Sequence, residues 1–127
     1  MKSKVYPKRE AVFTGEFKRA VRDAAGHDIW FAKIHGHEMQ SRGLPDIIGC
    51  YTGIFWGIEF KVMRSGKYVV TPYQKYVKES IEKAGGFWFV VWFDEKTADV
   101  GINEMRYDNK KSAVQALLSW FKPKTDL

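Results

Sequence analysis

The sequence predicts an α/β domain in which helices cover both faces of a sheet. Amphipathic helical patterns alternate with short apolar strands along the chain, and turn or cap residues fall between them. One strand, Phe87 to Phe93, is apolar at every position, as expected where both faces of a strand are buried. The element order reads αβββαβ, closed by a C-terminal helix.

The first dozen residues carry Lys2, Lys4, Lys8 and Arg9 with Pro7, and read as a mobile basic arm. Thr14 then offers a helix cap. Phe17, Ala20, Val21 and Ala24 follow at helical spacing and Gly26 ends the segment. Residues 28–34 read as a strand and 35–44 as a polar loop. Two strands follow near 46–51 and 54–63, with Thr52-Gly53 as the turn between them. Residues 64–70 form a second loop. Thr71-Pro72-Tyr73-Gln74 is a helix start: Thr as N-cap, Pro in the first turn, and a Gln able to close a capping box. That helix runs to about Ala84 and stops at Gly85-Gly86. After Asp94 the pattern is ambiguous until the last helix, whose apolar face carries Val114, Leu117, Leu118 and Phe121.

At 127 residues, with 45% apolar and 16% aromatic content, the chain has the material for one packed core and reads as one domain. No run of about 18 apolar residues occurs, so no membrane span is expected. Met1-Lys2-Ser3-Lys4 lacks an apolar stretch behind it and does not read as a signal peptide. Cys50 stands alone in an apolar run, which excludes an internal disulfide framework, suits a reducing cytoplasm and predicts a buried thiol. Twenty-one basic against 15 acidic residues give a net charge of +6, which favours a polyanionic partner.

The chemistry concentrates on the hairpin. If Thr52-Gly53 is a two-residue turn, Tyr51 pairs with Ile54, and counting back along both strands puts Asp46 across from Glu59. A four-residue loop keeps that register and a three-residue loop does not. Opposed residues hold their Cβ atoms roughly 4.5–5.5 Å apart, and two like charges there destabilise a hairpin. A divalent cation removes the penalty, because Mg²⁺ takes one or two carboxylates together with waters and phosphates. Lys61, two residues beyond Glu59, projects from the same face. A lysine there can orient or deprotonate an attacking water, or steady charge developing on a phosphate. Glu16, on the preceding helix, is a candidate to complete the cluster, with Glu10 the other acidic residue upstream. Gln74 has two readings that do not exclude each other, closing the capping box and lining the site.

Gly43-Leu44-Pro45-Asp46, a tight turn, Glu59-Phe60-Lys61, then Thr-Pro-x-Gln and Gly-Gly at the ends of the next helix together resemble the PD-(D/E)XK nuclease superfamily. Within it, the chain is similar to the small virus-type replication-repair (VRR-NUC) nucleases and to archaeal-type Holliday junction resolvases, over about residues 14 to 92. The resemblance implies a restriction-endonuclease-like core, a central mixed β-sheet flanked by helices, with Mg²⁺ or Mn²⁺ as cofactor. It makes Asp46, Glu59 and Glu16 metal ligands, Lys61 the catalytic lysine and Gln74 a further site residue. The activity it implies is metal-dependent, structure-selective cleavage of branched or four-way DNA in repair and recombination. The implied enzyme is a homodimer in the cytoplasm of a bacterial, archaeal or phage-infected cell. A nicking or restriction-like duplex endonuclease and a non-catalytic DNA-binding accessory protein are the alternatives.

Lys8, Arg9, Ser41, Arg42, Arg64 and Lys67 are the expected phosphate contacts. His35-Gly36-His37-Glu38 has too few nitrogen and sulfur ligands for a closed zinc site and reads as a DNA-facing loop. The aromatic run 87–93 reads as core rather than as a base-stacking platform.

Overall fold

The computed structural model describes residues 2–34 and 42–121, the side chains of 2–10 and 121 excepted. Helix α1 (Lys2–Ala25) leads through a short 3-10 turn (Gly26–Asp28) into β1 (Ile29–Lys33). Strands β2 (Ile47–Tyr51) and β3 (Ile54–Met63) follow, then α2 (Pro72–Lys83) and β4 (Phe87–Asp94). A last hairpin, β5 (Val100–Ile102) and β6 (Met105–Tyr107), precedes α3 (Lys110–Phe121). Among the described residues the strands form one six-stranded mixed sheet in chain order. Only β3 and β4 run parallel, because α2 carries the chain across between them.

The hairpin forms as its turn chemistry demands. Thr52 and Gly53 both take positive φ, 52° and 83°, the left-handed pair whose twist matches the two flanking strands. Tyr51 pairs with Ile54, and the register runs back to Ile47 opposite Ile58. Beyond it, the amide of Ile34 donates to the Asp46 carbonyl at 2.7 Å, tying the end of β1 to the start of β2.

One face of the sheet packs on α1 and α3. Phe13, Phe17 and Val21, one helical turn apart, are buried against Trp56, Ile58 and Phe60, and the rings of Phe13 and Phe17 both meet Phe60 edge-on. Ala113, Val114, Leu117 and Leu118 of α3 complete this core. The other face of β3 and β4 presents Met63, Trp88, Val90 and Trp92, which pack with Ile81 of α2 and with Tyr68 and Val70 of the preceding loop. Strand β4 is therefore buried on both sides, which is why its sequence lacks alternation.

Five expectations are corrected. Helix α1 begins at Lys2, so residues 2–12 are its first turns rather than an arm. Thr14 lies inside the helix and donates its hydroxyl to the Ala11 carbonyl instead of capping. Ala24 is exposed, and Phe13 and Ala25 extend the buried stripe in its place. Cys50 is exposed, because α2 covers β4 and the later part of β3 but neither β1, β2 nor the start of β3: Trp30 (62% exposed), Cys50 and Phe55 (42%) lie side by side across the three strands. The segment after Asp94 contains a hairpin the sequence pattern did not reveal, so the element order is αβββαβββα. Its turn residue Asn103 is locked by its own side chain, which accepts from the Val90 amide at 3.0 Å, while its carbonyl accepts from the Trp92 indole at 2.8 Å.

Gly101 sits beneath that indole: a Cβ there would come within 1.8 Å of the Trp92 ring. Gly101→Ala is expected to destabilise the fold by about 1–3 kcal/mol through overpacking. Denaturant unfolding is the measurement, and an unchanged midpoint would mean that Trp92 swings aside freely.

Candidate active site

Three local features converge at the end of the sheet where β1, β3 and β4 terminate. Gly43 (φ 87°) lies so close to the first turn of α2 that a Cβ would meet the Tyr73 backbone at 2.4 Å. Pro45 is fully buried, and its ring occupies the space that Gly57 leaves by having no side chain. These two contacts fix the direction in which Asp46 enters β2. Its Oδ2 then accepts the Phe60 amide at 2.7 Å, one residue past Glu59 on the opposing strand.

Glu59 is 6% exposed and continues the ladder opposite Asp46. Its carboxylate oxygen Oε2 accepts from Gln74 Nε2 at 2.9 Å and stands 3.6 Å from Lys61 Nζ. Lys61 in turn donates to Gln74 Oε1 at 3.0 Å. The same Gln74 oxygen accepts the Thr71 amide at 3.0 Å, and the Thr71 hydroxyl accepts the Gln74 amide at 3.1 Å. Both readings of Gln74 therefore hold: it closes the capping box of α2 and bridges Glu59 to Lys61. Its amide orientation is dictated by its partners, two donors facing the oxygen and a carboxylate facing the nitrogen.

Burial raises the Asp46 pKa above the ordinary carboxylate range, against the opposing pull of the Phe60 amide, Lys61 and Lys33. Glu59 is pushed up to about 7, first by burial and then by the negative charge of Asp46, despite the help of Lys61 and Gln74. The hairpin thus holds two carboxylates that resist being charged together. A divalent cation fits such a donor set: hard oxygens, a repulsion to be neutralised, and only two protein carboxylates, as Mg²⁺ prefers. Among the described residues no group of three or more metal-ligating side chains gathers.

Glu16 is not brought to this cluster; its carboxylate bonds Lys110 at the start of α3, and that contact lowers its pKa. Arg42 lies over the Tyr73 ring, 5.4 Å from its centroid, beside the first turn of α2. Arg64 and Lys67 close a tight turn through Ser65 and Gly66 by reciprocal backbone bonds of 2.9 and 3.0 Å. Together with Lys61 and Tyr68 they line a cleft of about 490 Å³. The side chains of Lys8, Arg9 and Glu10, together with Ser41 and the His35–Glu38 segment, lie outside the described residues. A second cleft, of about 290 Å³, is shared by Asp46, Phe60, Thr14, Lys18 and Lys33. The two lysines escaped the sequence reading because α1 and the end of β1 meet only in the folded chain. The sole trace was the i, i+3, i+7 spacing of Ala11, Thr14 and Lys18.

No protein-family model and no curated protein matches the chain. Solved structures do. A VRR_NUC domain superposes with a TM-score of 0.52 at 18% identity, covering 85% of this chain and 96% of its own. Hjc of Archaeoglobus fulgidus, a Holliday junction resolvase from an archaeal hyperthermophile, superposes with a TM-score of 0.56 at 12% identity, covering 91% and 99%. The chain shares the fold of this VRR_NUC domain and of this resolvase. The expected mixed sheet flanked by helices is thereby met.

The raised Glu59 pKa has a stability consequence. A carboxyl whose pKa rises from 4.5 to about 7 on folding stabilises the fold fully below pH 4.5, and this contribution is lost as pH climbs through 7. Asp46 acts in the same direction. Metal-free protein is expected to melt at a lower temperature at pH 8 than at pH 5.5, and Glu59→Gln to flatten that dependence. Parallel melting curves for both proteins across this range would show that folding leaves the Glu59 carboxyl unperturbed.

Proposed function

We propose that the chain is a Mg²⁺- or Mn²⁺-dependent endonuclease that hydrolyses phosphodiester bonds in branched DNA, with four-way junctions as the preferred substrate. The observation that carries this reading is the opposed Asp46–Glu59 pair with Lys61 beside it, all three held in one hydrogen-bonded frame through Phe60 and Gln74. The net charge of +6 and the nuclease fold support a DNA substrate. No helix among the described residues is long and apolar enough to cross a membrane, and we place the activity in the cytoplasm.

In this mechanism Asp46 and Glu59 hold the cation, which supplies a lowered water pKa and a polarised phosphoryl oxygen. Asp46 is kept in position by the Phe60 amide. Lys61 faces the phosphate, steadies the negative charge that develops on it and orients the attacking water. Gln74 holds Lys61 and Glu59 at a fixed separation, so neither has to reorganise when substrate arrives. With Glu16 engaged by Lys110, Glu10 is the acidic residue we propose for α1. It stands four residues before Thr14, which lines the cleft shared with Asp46.

Asp46→Asn, Glu59→Gln and Lys61→Ala are each expected to lower cleavage by about a hundredfold or more, with DNA binding and fold retained. Glu10→Gln should also impair cleavage, and Glu16→Gln should not. Mg²⁺ should stabilise the wild type by roughly 2.7 kcal/mol at a hundredfold excess over its dissociation constant, and Asp46→Asn much less. Labelled duplex, flap and four-way DNA with Mg²⁺ are the assay. Cutting of plain duplex alone would favour a nicking or restriction-like enzyme. Binding without cutting would favour an accessory protein.

A two-fold homodimer is proposed alongside, because one such site cuts one strand and resolving a junction takes two paired cuts. Light scattering should return twice the 14.7 kDa chain mass. Heterodimers of wild type and Glu59→Gln should nick one strand without resolving the junction. A monomeric mass on and off DNA would overturn this arrangement.

A further inference from the structure

The cleft between α1 and the end of β1 has Asp46 in its wall. Its wall carries Lys18 from the helix, Lys33 from the last position of β1, and Asp46 and Phe60 from the hairpin. Two lysines and one aspartate line it, and that aspartate's Oδ2 already accepts the Phe60 amide. With Asp46 engaged by a cation, the described side chains of this wall leave a net positive charge, which suits an anion. Among the described residues neither Lys18 nor Lys33 makes an ion pair, although six ion pairs form elsewhere. Lys33 acts on Asp46 at longer range than an ion pair, so both lysines can also serve an anionic ligand.

We infer that this cleft is a phosphate subsite, in which Lys18 and Lys33 together grip one backbone phosphate of the DNA strand next to the phosphate that is attacked. The inference rests on the nuclease reading and adds the direction in which the strand runs. The cleft lined by Lys61, Arg64 and Lys67 also has Phe60 in its wall. Cations therefore line two clefts that share Phe60 as a wall residue. A ligand with charges repeated along its length meets both groups at once, as a single free anion cannot. Lysine is a point charge on a flexible stem, without the planar fork that reads bases, so the subsite positions the backbone and ignores sequence.

The test compares wild type with the Lys18→Gln/Lys33→Gln double variant, checked for an unchanged melting temperature. Lys111→Gln, at an exposed lysine of α3, is the control. Affinity for duplex DNA is measured without divalent cation across a salt series, and cleavage kinetics with Mg²⁺. The double variant should lose about 0.9 from the slope of log K against log salt, the contribution of one neutralised phosphate. Its KM should rise several-fold with kcat within twofold, and the Lys18→Arg/Lys33→Arg variant should restore both values. The control should match wild type. A wild-type slope and KM in the double variant would overturn the subsite while leaving the nuclease reading intact. So would a changed Mg²⁺ requirement at constant slope, which would reduce Lys33 to an electrostatic neighbour of Asp46. A loss of about 1.8 would overturn the sharing of a single phosphate. Wild-type protein that neither binds nor cuts DNA would end the nuclease reading and this one with it.

Discussion

The register of the β2–β3 hairpin is the constraint on which the site depends. A one-residue slip would send every side chain of one strand to the other face, moving Asp46 away from Glu59 and burying a different set of residues. Thr52 and Gly53 oppose that slip by taking the left-handed pair of conformations that suits a two-residue loop. Each further element adds a restraint in the same direction. Pro45 lodges over Gly57, Gly43 presses on α2, and the Phe60 amide fixes one oxygen of Asp46. The carboxylate pair is held together by backbone geometry, against its own electrostatics.

That opposition explains the uneven energetics of the sheet. Most of the molecule is a conventional two-sided core, with α1 and α3 on one face and α2 on the other. At the strand ends the same burial that stabilises Phe60 and Val90 penalises Glu59, whose proton is released only near neutrality. Gln74 and Lys61 recover part of the cost. The residue of unfavourable charge is the physical reason for assigning the hairpin to chemistry instead of to structural support.

Features governed by neighbours in sequence were legible without coordinates. The Thr52-Gly53 turn, the Thr71–Gln74 box, the apolar run of β4 and the Asp46–Glu59–Lys61 alignment all follow from local rules of twist, capping and alternation. Features governed by neighbours in space were not. Thr14 looks like a cap because its hydroxyl bonds backbone in either setting, and only the preceding turns of α1 reveal it as internal. Cys50 lies in an apolar run, but the helix that would bury it lies over β3 and β4. Glu16 has the right residue type and the wrong helical face, which became visible only with Lys110 beside it. The β5–β6 hairpin is three residues a side and is held by Asn103 and Trp92, partners eleven residues apart.

The double duty of Gln74 separates two pressures that usually act on different residues. A capping box accepts glutamate as readily as glutamine at this position, since either side chain can reach back to the cap amide. The surroundings here do not. Glutamate would offer Glu59 an oxygen in place of the amide nitrogen that now donates to it, and would set a third negative charge beside two that already repel. Helix formation alone would leave this position free to drift between the two residue types. The pair of strands behind it narrows the choice to one, so the identity of a single capping residue carries the imprint of the carboxylates it faces.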